Sequence, residues 1–307
     1  MIAILLLVAL AACQFESEWN KFKIAYGKRY SSMEENERFR VFVDNMRYID
    51  LLNRLDKTAT YGVTRFADLT AEEFSQKYLG NIPMSHSNLE EYIPRVAAPE
   101  SWDWTGKSGY VGPVQDQGSC GSCWAFSSTA GFETARVIAG NSWLKLSEQC
   151  LVDCDSSNNG CDGGNLTLVE RYLKKTGTVS NDLYPYKGVQ KTCAVKDSWT
   201  HYKASNYGIV NGEDNMAAAV YEHGVLPVAI NANPVQFYTG GILNPSNCNK
   251  NALNHGVAIV GYGVEGGVKF WKIRNSWGSS WGEKGYFRLN RGDNTCGVAN
   301  DATFIDA

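Results

Sequence analysis

Glu34, Arg38 and Phe42 follow one another at four-residue steps, and Asn45, Ile49 and Asn53 continue the series after a single three-residue step. This spacing puts all six on one side of a long helix. Spacing alone leaves open whether that helix is an amphipathic surface element or part of a separate module. From Tyr61 to Thr70 the apolar residues alternate, which predicts a short strand; Thr70 with Glu73 three residues on then caps a helix. Residues 81–99 carry prolines and serines with few core residues and read as an exposed, protease-sensitive linker. Beyond residue 110, Phe126, Ala130, Thr134, Val137 and Ile138 repeat at helical spacing until Gly140. Ser147 is placed to cap a second helix, with Leu146 and Leu151 as its staple. Leu166, Val169, Tyr172 and Leu173 mark a third, ending at Gly177. Strand patterns occupy 225–230, 256–262, 268–274 and 286–290, separated by Gly and Asn turns. Helices first and strands later imply an α+β protein with two segregated halves. There is no internal repeat and no low-complexity tract.

Composition narrows the function classes. With 307 residues, 44% of them apolar, the chain can bury one or two cores. Lys plus Arg number 29 against 32 Asp plus Glu, a balance that gives no electrostatic footprint for nucleic acid or for a polybasic membrane anchor. Ile2 to Ala12 is an uncharged apolar run, too short to span a bilayer and ending in small residues, so residues 1–13 read as a secretory signal peptide. Leu10-Ala11-Ala12-Cys13 also matches a lipoprotein cleavage box, a weaker reading. No other window is apolar enough for a span, so no membrane-crossing segment is expected. Nine cysteines, eight of them beyond residue 100, then suggest a disulfide framework or a thiol site.

Several motifs dissolve on inspection. Gly261-Tyr262-Gly263-Val264-Glu265-Gly266 fits a dinucleotide fingerprint, but a strand follows where a phosphate-binding helix should begin, so it is expected to be a hairpin turn. Arg291-Gly292-Asp293 is a triplet common in turns. Cys120-Gly121-Ser122-Cys123 lacks a second Cys-x-x-Cys, and the four histidines are scattered, which disfavours a metal. The segment Gln117 to Phe126, however, joins a glycine-rich turn to a helix start and puts Cys123 at the helix N-terminus, where unpaired N–H groups favour a thiolate. A buried structural cysteine is the plain alternative. His255 opens one strand and Asn275 closes another; a reactive cysteine, a histidine and an asparagine together supply nucleophile, base and base-orienting amide.

These residues carry a resemblance to the papain-like cysteine proteases, closer to the cathepsin L branch, over residues 18–307. Cys120-Gly121-Ser122-Cys123-Trp124 resembles the family's nucleophile signature, and Asn275-Ser276-Trp277-Gly278 its asparagine segment. The series Glu34, Arg38, Phe42, Asn45, Ile49, Asn53 is similar to the branch's inhibitory propeptide. Gly62, Phe66 and Asp68 match its second motif, with Thr64 where Asn is usual. The resemblance implies a papain-like two-lobe fold, a helical left lobe over about 110–208 and a β-barrel-like right lobe over about 209–307, behind an inhibitory propeptide at 14–97. It makes Cys123 the nucleophile and His255 the proton shuttle, oriented by Asn275 under Trp277. Gln117 becomes an oxyanion donor beside the Cys123 N–H. No cofactor is needed. The expected partners are polypeptide substrates, the chain's own propeptide and cystatin-type inhibitors, and the expected state is a monomer in the secretory pathway, a lysosome-like vacuole or the extracellular space.

The resemblance also pairs Cys120 with Cys161, Cys154 with Cys193 and Cys248 with Cys296, one of the 105 pairings open to eight cysteines. Each such loop contributes about 3–4 kcal/mol in the chain-entropy model. Cys150 is left as a packed or partly exposed thiol. Gly163 and Gly164 resemble the glycine wall that pairs with an extended substrate, and Leu166, Ala229, Leu253 and Asp301 the main specificity pocket. There Asp301 would admit Arg as well as Leu or Phe, unless it turns to solvent. Asn165-Leu166-Thr167 is the only glycosylation sequon, and its place beside the pocket implies low occupancy. No adjacent histidine pair marks an exopeptidase loop, so endopeptidase action is expected. Two readings from other classes stay open at this point: a non-catalytic binding protein of the same fold, and a thiol–disulfide exchanger using Cys120 and Cys123.

Overall fold

The computed structural model describes residues 15–84 and 89–307, so the apolar run at 2–12, Cys13 and His86 lie outside the described residues. Residues 15–26 are helical (α1) and lead into α2, Ser32–Leu55, whose first turn is capped by the Ser31 hydroxyl accepting from the Glu34 N–H. Phe42 lies buried between Trp19 and Phe22, its ring centroid 5.2 Å from each. The polar members of the α2 series face the chain that follows. Asn45 Nδ2 donates to the carbonyls of Ala67 and Leu69, both at 2.9 Å, and Asn53 exchanges two hydrogen bonds with the Tyr61 backbone. Arg38 forks onto Glu73 at 2.6 and 2.7 Å and is flanked by Glu34 at 3.6 Å. The face is therefore a docking edge for the next loop rather than a solvated surface.

That loop begins as β1, Ala59–Tyr61, shorter than the alternation suggested and shifted toward the N-terminus. It continues through turns to α3, Ala71–Tyr78, which has the full Thr70–Glu73 capping box. Thr64 is buried; its hydroxyl donates to the Gln236 carbonyl at 2.8 Å and accepts from the Phe66 N–H. Of residues 81–99, those described (81–84 and 89–99) are mostly exposed, as the linker reading expects, with two anchored points. Ile82 and Tyr92 are buried, because this stretch finds backbone partners in the lobes: Tyr92 N–H donates to the Ile209 carbonyl, and Ile209 N–H to that of Glu90. The rest of the described stretch is exposed or half-buried, Ile93 and Val96 included.

The remainder runs β2 (Trp102–Asp103), α4 (Cys123–Ile138), α5 (Glu148–Cys154), α6 (Leu166–Lys175), β3 (Asn206–Ile209) and α7 (Glu213–His223), then β4 (Leu226–Ile230) and β5 (Tyr238–Leu243). It ends with β6 (His255–Glu265), β7 (Val268–Arg274), β8 (Tyr286–Asn290) and β9 (Thr303–Asp306). Ser147 caps α5 as expected. Seven strands form one sheet in the order β1-β5-β8-β7-β6-β2, with β4 also on β6. This sheet is open rather than a closed barrel, and its β5 edge is extended by a strand of the N-terminal region. Chain segments cross between the halves: β2 pairs with β6, while β9 pairs with β3. The β6–β7 hairpin turns at Gly266-Gly267, both at positive φ, and Gly261 to Glu265 are strand. Three disulfides join Cys120–Cys161, Cys154–Cys193 and Cys248–Cys296; Cys123 and Cys150 are free and buried. Among the described residues no helix is long and apolar enough to cross a membrane, and no cluster of His, Cys, Asp and Glu is arranged to hold a metal.

Candidate active site

Cys123 is the first residue of α4, carried there by the turn that Cys120–Cys161 ties to the opposite loop. The Gly121 N–H donates to the Cys161 carbonyl at 2.8 Å. His255, the first residue of β6, faces it from the sheet half. A Cβ on Gly256 would stand 3.1 Å from the Cys123 carbonyl, so only glycine lets the strand approach α4 this closely. Asn275, just past β7, accepts at Oδ1 from His255 Nε2 at 2.8 Å, which leaves Nδ1 as the nitrogen without a partner in the closed site. Trp277 stacks on the imidazole at a centroid distance of 4.7 Å. Gln117 is fully buried; the Ser276 hydroxyl donates to its Oε1 at 2.6 Å, so its Nε2 is aimed the other way. Ser276 was not singled out from sequence, although it sits between Asn275 and Trp277.

Nε2 of Gln117 donates to the Cys120 carbonyl at 3.0 Å and, at 3.3 Å, to the carbonyl of Tyr78, the last residue of α3. The N-terminal region thus runs through the cleft. A Cβ on Gly80 would lie 3.7 Å from Cys123 Sγ, and the Gly80 N–H donates to the Asn254 carbonyl at 2.8 Å. Asn81 bridges Gly163 in the parallel sense, and the Gly164 N–H donates to the Asn81 carbonyl at 3.2 Å. Gly163 has φ 114°, and a Cβ there would stand 2.5 Å from that carbonyl oxygen; on Gly164 it would meet the Trp124 ring at 2.7 Å. Both positions therefore need glycine. Ile82 is buried in the apolar cluster that contains Leu166, Ala229 and Leu253. Asp301 is fully buried, which removes the reading in which it turns to solvent, and its carbonyl accepts from the Ala229 N–H. Beside it, burial pushes the Glu170 carboxyl well above the usual range, against the Thr303 hydroxyl donated to it.

This covering corrects the expectation of a thiolate. Burial pushes the Cys123 thiol up to about 11, outweighing the N–H groups of Gly256, Trp124, Cys123 and Gly80 that favour the anion. Burial likewise pushes His255 down to about 4, against the hydrogen bond to Asn275. In the closed state the pair is a neutral thiol and a neutral imidazole. Helix position favours the anion, and burial outweighs it. Cys150 is packed inside, its thiol raised by burial. Cys120 is bonded to Cys161, so no Cys120–Cys123 dithiol exists to exchange disulfides.

The second motif sits on the same site from outside. Phe66 and Phe74 meet the Trp277 ring edge-on at 5.2 and 5.4 Å, the Gly62 N–H donates to the Phe237 carbonyl, and Asp68 takes Lys28 Nζ on both oxygens and the Tyr30 hydroxyl at 2.7 Å.

Comparison with known proteins agrees with this arrangement. The papain family cysteine protease model matches residues 98–305, and the cathepsin propeptide inhibitor domain (I29) matches residues 19–74. Cysteine proteinase 15A of Pisum sativum is 40% identical, over 95% of this chain and 86% of its own length. The cathepsin L-like proteinase of Phaedon cochleariae is 38% identical, over 97% and 96%. The solved digestive procathepsin L 3 of Tenebrio molitor larval midgut superposes with a TM-score of 0.85 at 35% identity, covering 95% of this chain and 99% of that one. The chain belongs to the papain family of cysteine proteases and carries that family's inhibitory propeptide.

Proposed function

We propose that Cys123, His255, Asn275 and Gln117 hydrolyse internal peptide bonds once the propeptide leaves. The observation that carries this is the Tyr78 carbonyl on the Gln117 amide with Gly80 over Cys123 Sγ: a peptide already lies where a substrate would react. When water returns, the Cys123 proton passes to His255 Nδ1 and the thiolate attacks the substrate carbonyl. The oxyanion takes hydrogen bonds from Gln117 Nε2 and the Cys123 N–H. His255 gives its proton to the leaving amine, then takes one from the water that hydrolyses the acyl-enzyme. Asn275 and Trp277 hold the imbalance of charge on the ring by fixing its orientation. No cofactor enters these steps.

Leu166, Ala229 and Leu253 form the main specificity pocket in this reading, occupied in the zymogen by Ile82. Asp301 at its floor lets the pocket take Arg as well as Leu or Phe, since a guanidinium can meet a buried carboxylate. Comparing Arg-Arg with Phe-Arg dipeptide substrates in wild type and Asp301→Ala tests it, and an unchanged ratio refutes it. Removal of residues 1–13 and then cleavage near 96–99 would leave a mature domain from about residue 98. Acid drives that second step: opening the cleft lets His255 take up a proton. A secreted or lysosome-like destination, a monomeric state and sensitivity to cystatin-type inhibitors complete the reading. Active-site titration of acid-activated protein with a thiolate-trapping epoxide, followed by mass mapping, tests it directly. Stoichiometric labelling of Cys123 with loss of activity is expected; no labelling in folded, propeptide-free protein leaves a papain-shaped binding module.

A further inference from the structure

The stretch that leads from the propeptide into the peptidase domain is tied down by contacts that involve none of the site residues. In its own sheet β3 pairs only with β9, so its other edge offers free backbone groups, and residues 90–92 take them. The Ile209 N–H donates to the Glu90 carbonyl and the Tyr92 N–H to the Ile209 carbonyl, both at 2.8 Å, while Glu91 bridges Ile209 in the parallel sense. Side chains repeat the tie: Asn206 Nδ2 donates to Glu90 Oε2 at 2.9 Å, and Asn211 Nδ2 to Glu91 Oε1 at 2.8 Å. A Cβ on Gly208 would stand 2.3 Å from the Glu90 carbonyl oxygen, so glycine is what admits the added strand. Tyr92 is buried, its ring edge-on to His223 at a centroid distance of 5.2 Å. Three residues on, Glu222 in the last turn of α7 closes the stretch. Its Oε1 accepts from the Arg95 N–H at 3.0 Å and from the Val96 N–H at 3.1 Å.

We propose that the β3 edge and the last turn of α7 form a docking surface for the chain's own segment Glu90 to Val96, with Glu222 as its latch, and that this segment has to leave the surface before the processing site can be cut. A protease cleft takes its substrate as an extended strand, through main-chain N–H and C=O groups. Here the N–H groups of Tyr92, Arg95 and Val96 are already committed, so Ile93 and Val96 expose side chains without freeing the backbone that a protease needs. Cleavage then tracks the small fraction of molecules in which the segment has peeled away. The latch is separate from the propeptide's grip on the active site, since β3, α7 and their neighbours supply all of its contacts. The inference rests on the proposed function above only in placing the processing site just beyond Val96.

The test uses the Cys123→Ala zymogen, which cannot cut itself, and trypsin, which cuts after Arg95 and needs nothing from the chain's own site. Glu222→Ala should raise the rate of cleavage at Arg95–Val96 about tenfold over the parent, with the other tryptic bonds cut at unchanged rates. Glu222→Gln keeps an oxygen that can accept both N–H groups and should stay within about threefold of the parent. Tyr92→Ala, which empties the buried end of the segment, should accelerate the same bond and no other. Amide exchange needs no variant: the Ile209 N–H should be protected in the zymogen and lose that protection once the segment has been removed. Rates that rise alike for every tryptic bond would show a loosened fold and overturn the proposal. So would a parent-like rate in Glu222→Ala, equal acceleration in Glu222→Gln, or an Ile209 amide equally protected after removal. Epoxide labelling of Cys123 reports on the peptidase reading separately, and its failure would leave the trypsin result standing.

Discussion

The propeptide holds on in two different ways. Its folded part, residues 15–78, packs an aromatic core of its own around Phe42 and presents side chains to the enzyme: Phe66 and Phe74 on Trp277, Arg65 on Asp116. The extended part from Gly80 to Pro83 is held mostly through main chain, by the Gly164 N–H, the Asn254 carbonyl and the Asn165 amide. The first carries identity, because its contacts depend on which residues are present. The second carries occlusion, using donors that any peptide could engage. Anchoring and blocking are thus separable, and substitutions should sort accordingly.

The sharpest break is in the anchor's core. Phe42→Ala removes the ring packed between Trp19 and Phe22 and should destabilise the propeptide by about 3–5 kcal/mol. Thermal unfolding of the zymogen in a Cys123→Ser background, with premature activation in the Cys123 parent, checks it. Gln117→Ala should act mainly on the enzyme side, lowering kcat by about 10²–10³ while the excised propeptide still binds, since it loses only the bond to the Tyr78 carbonyl and keeps its contacts on Trp277 and Asp116. Arg38→Ala breaks the fork to Glu73 inside the propeptide and should cost about 1.5–3 kcal/mol of its folding stability at neutral pH, read by thermal unfolding of the excised propeptide.

That pair also predicts a pH profile. Its hydrogen bonds to Arg38 hold Glu73 at about 2, below the ordinary 4.5. A depressed carboxylate gives stability that is present above 4.5 and lost as pH falls toward 2, so the fork persists at pH 5 and is not the acid trigger. His255 titrates higher: pushed from 6.5 to about 4 under the propeptide, it favours the closed form above 6.5 and progressively less down to 4. In a Cys123→Ala background, where no thiol proton can pass to the ring, calorimetry should therefore find proton uptake when the propeptide dissociates between pH 6.5 and 4, and His255→Gln should abolish that uptake. The smallest effect belongs to the extended part. Asn81→Ala, a truncation of an exposed side chain whose backbone does the binding, should change the inhibition constant by less than about threefold.

The elements whose signals are local were legible in the sequence. Thr70 with Glu73, Ser147 with its staple, and the glycine-rich turn before Cys123 each announce a helix start within a few residues. The α7 helix was not, because its N-cap is Gly212, which offers no side-chain cap, and its middle from Met216 to Val220 is buried all round, so no polar face marks its period there. Strand β5 was missed for a different reason: Gly240 and Gly241 sit inside it, and it is held by β1 of the propeptide on one side and by a parallel β8 on the other. Neither partner is near in sequence. At the site, Cys123, His255 and Asn275 stood out by type and by their places on the elements, and Gln117 only through the family resemblance. The protonation of Cys123 and His255 did not, because it is set by burial in the folded chain.

The parallel bridge between Asn81 and Gly163 has a last consequence. The blocking strand travels from Gln117 past Cys123 toward the glycine wall, whereas a substrate with its acyl side on that wall travels the other way. The inhibitor is a key inserted backwards. The life of the zymogen is then governed by chain polarity more than by tightness of grip, and its first cut must come from a second molecule, or from a strand that has let go and turned around.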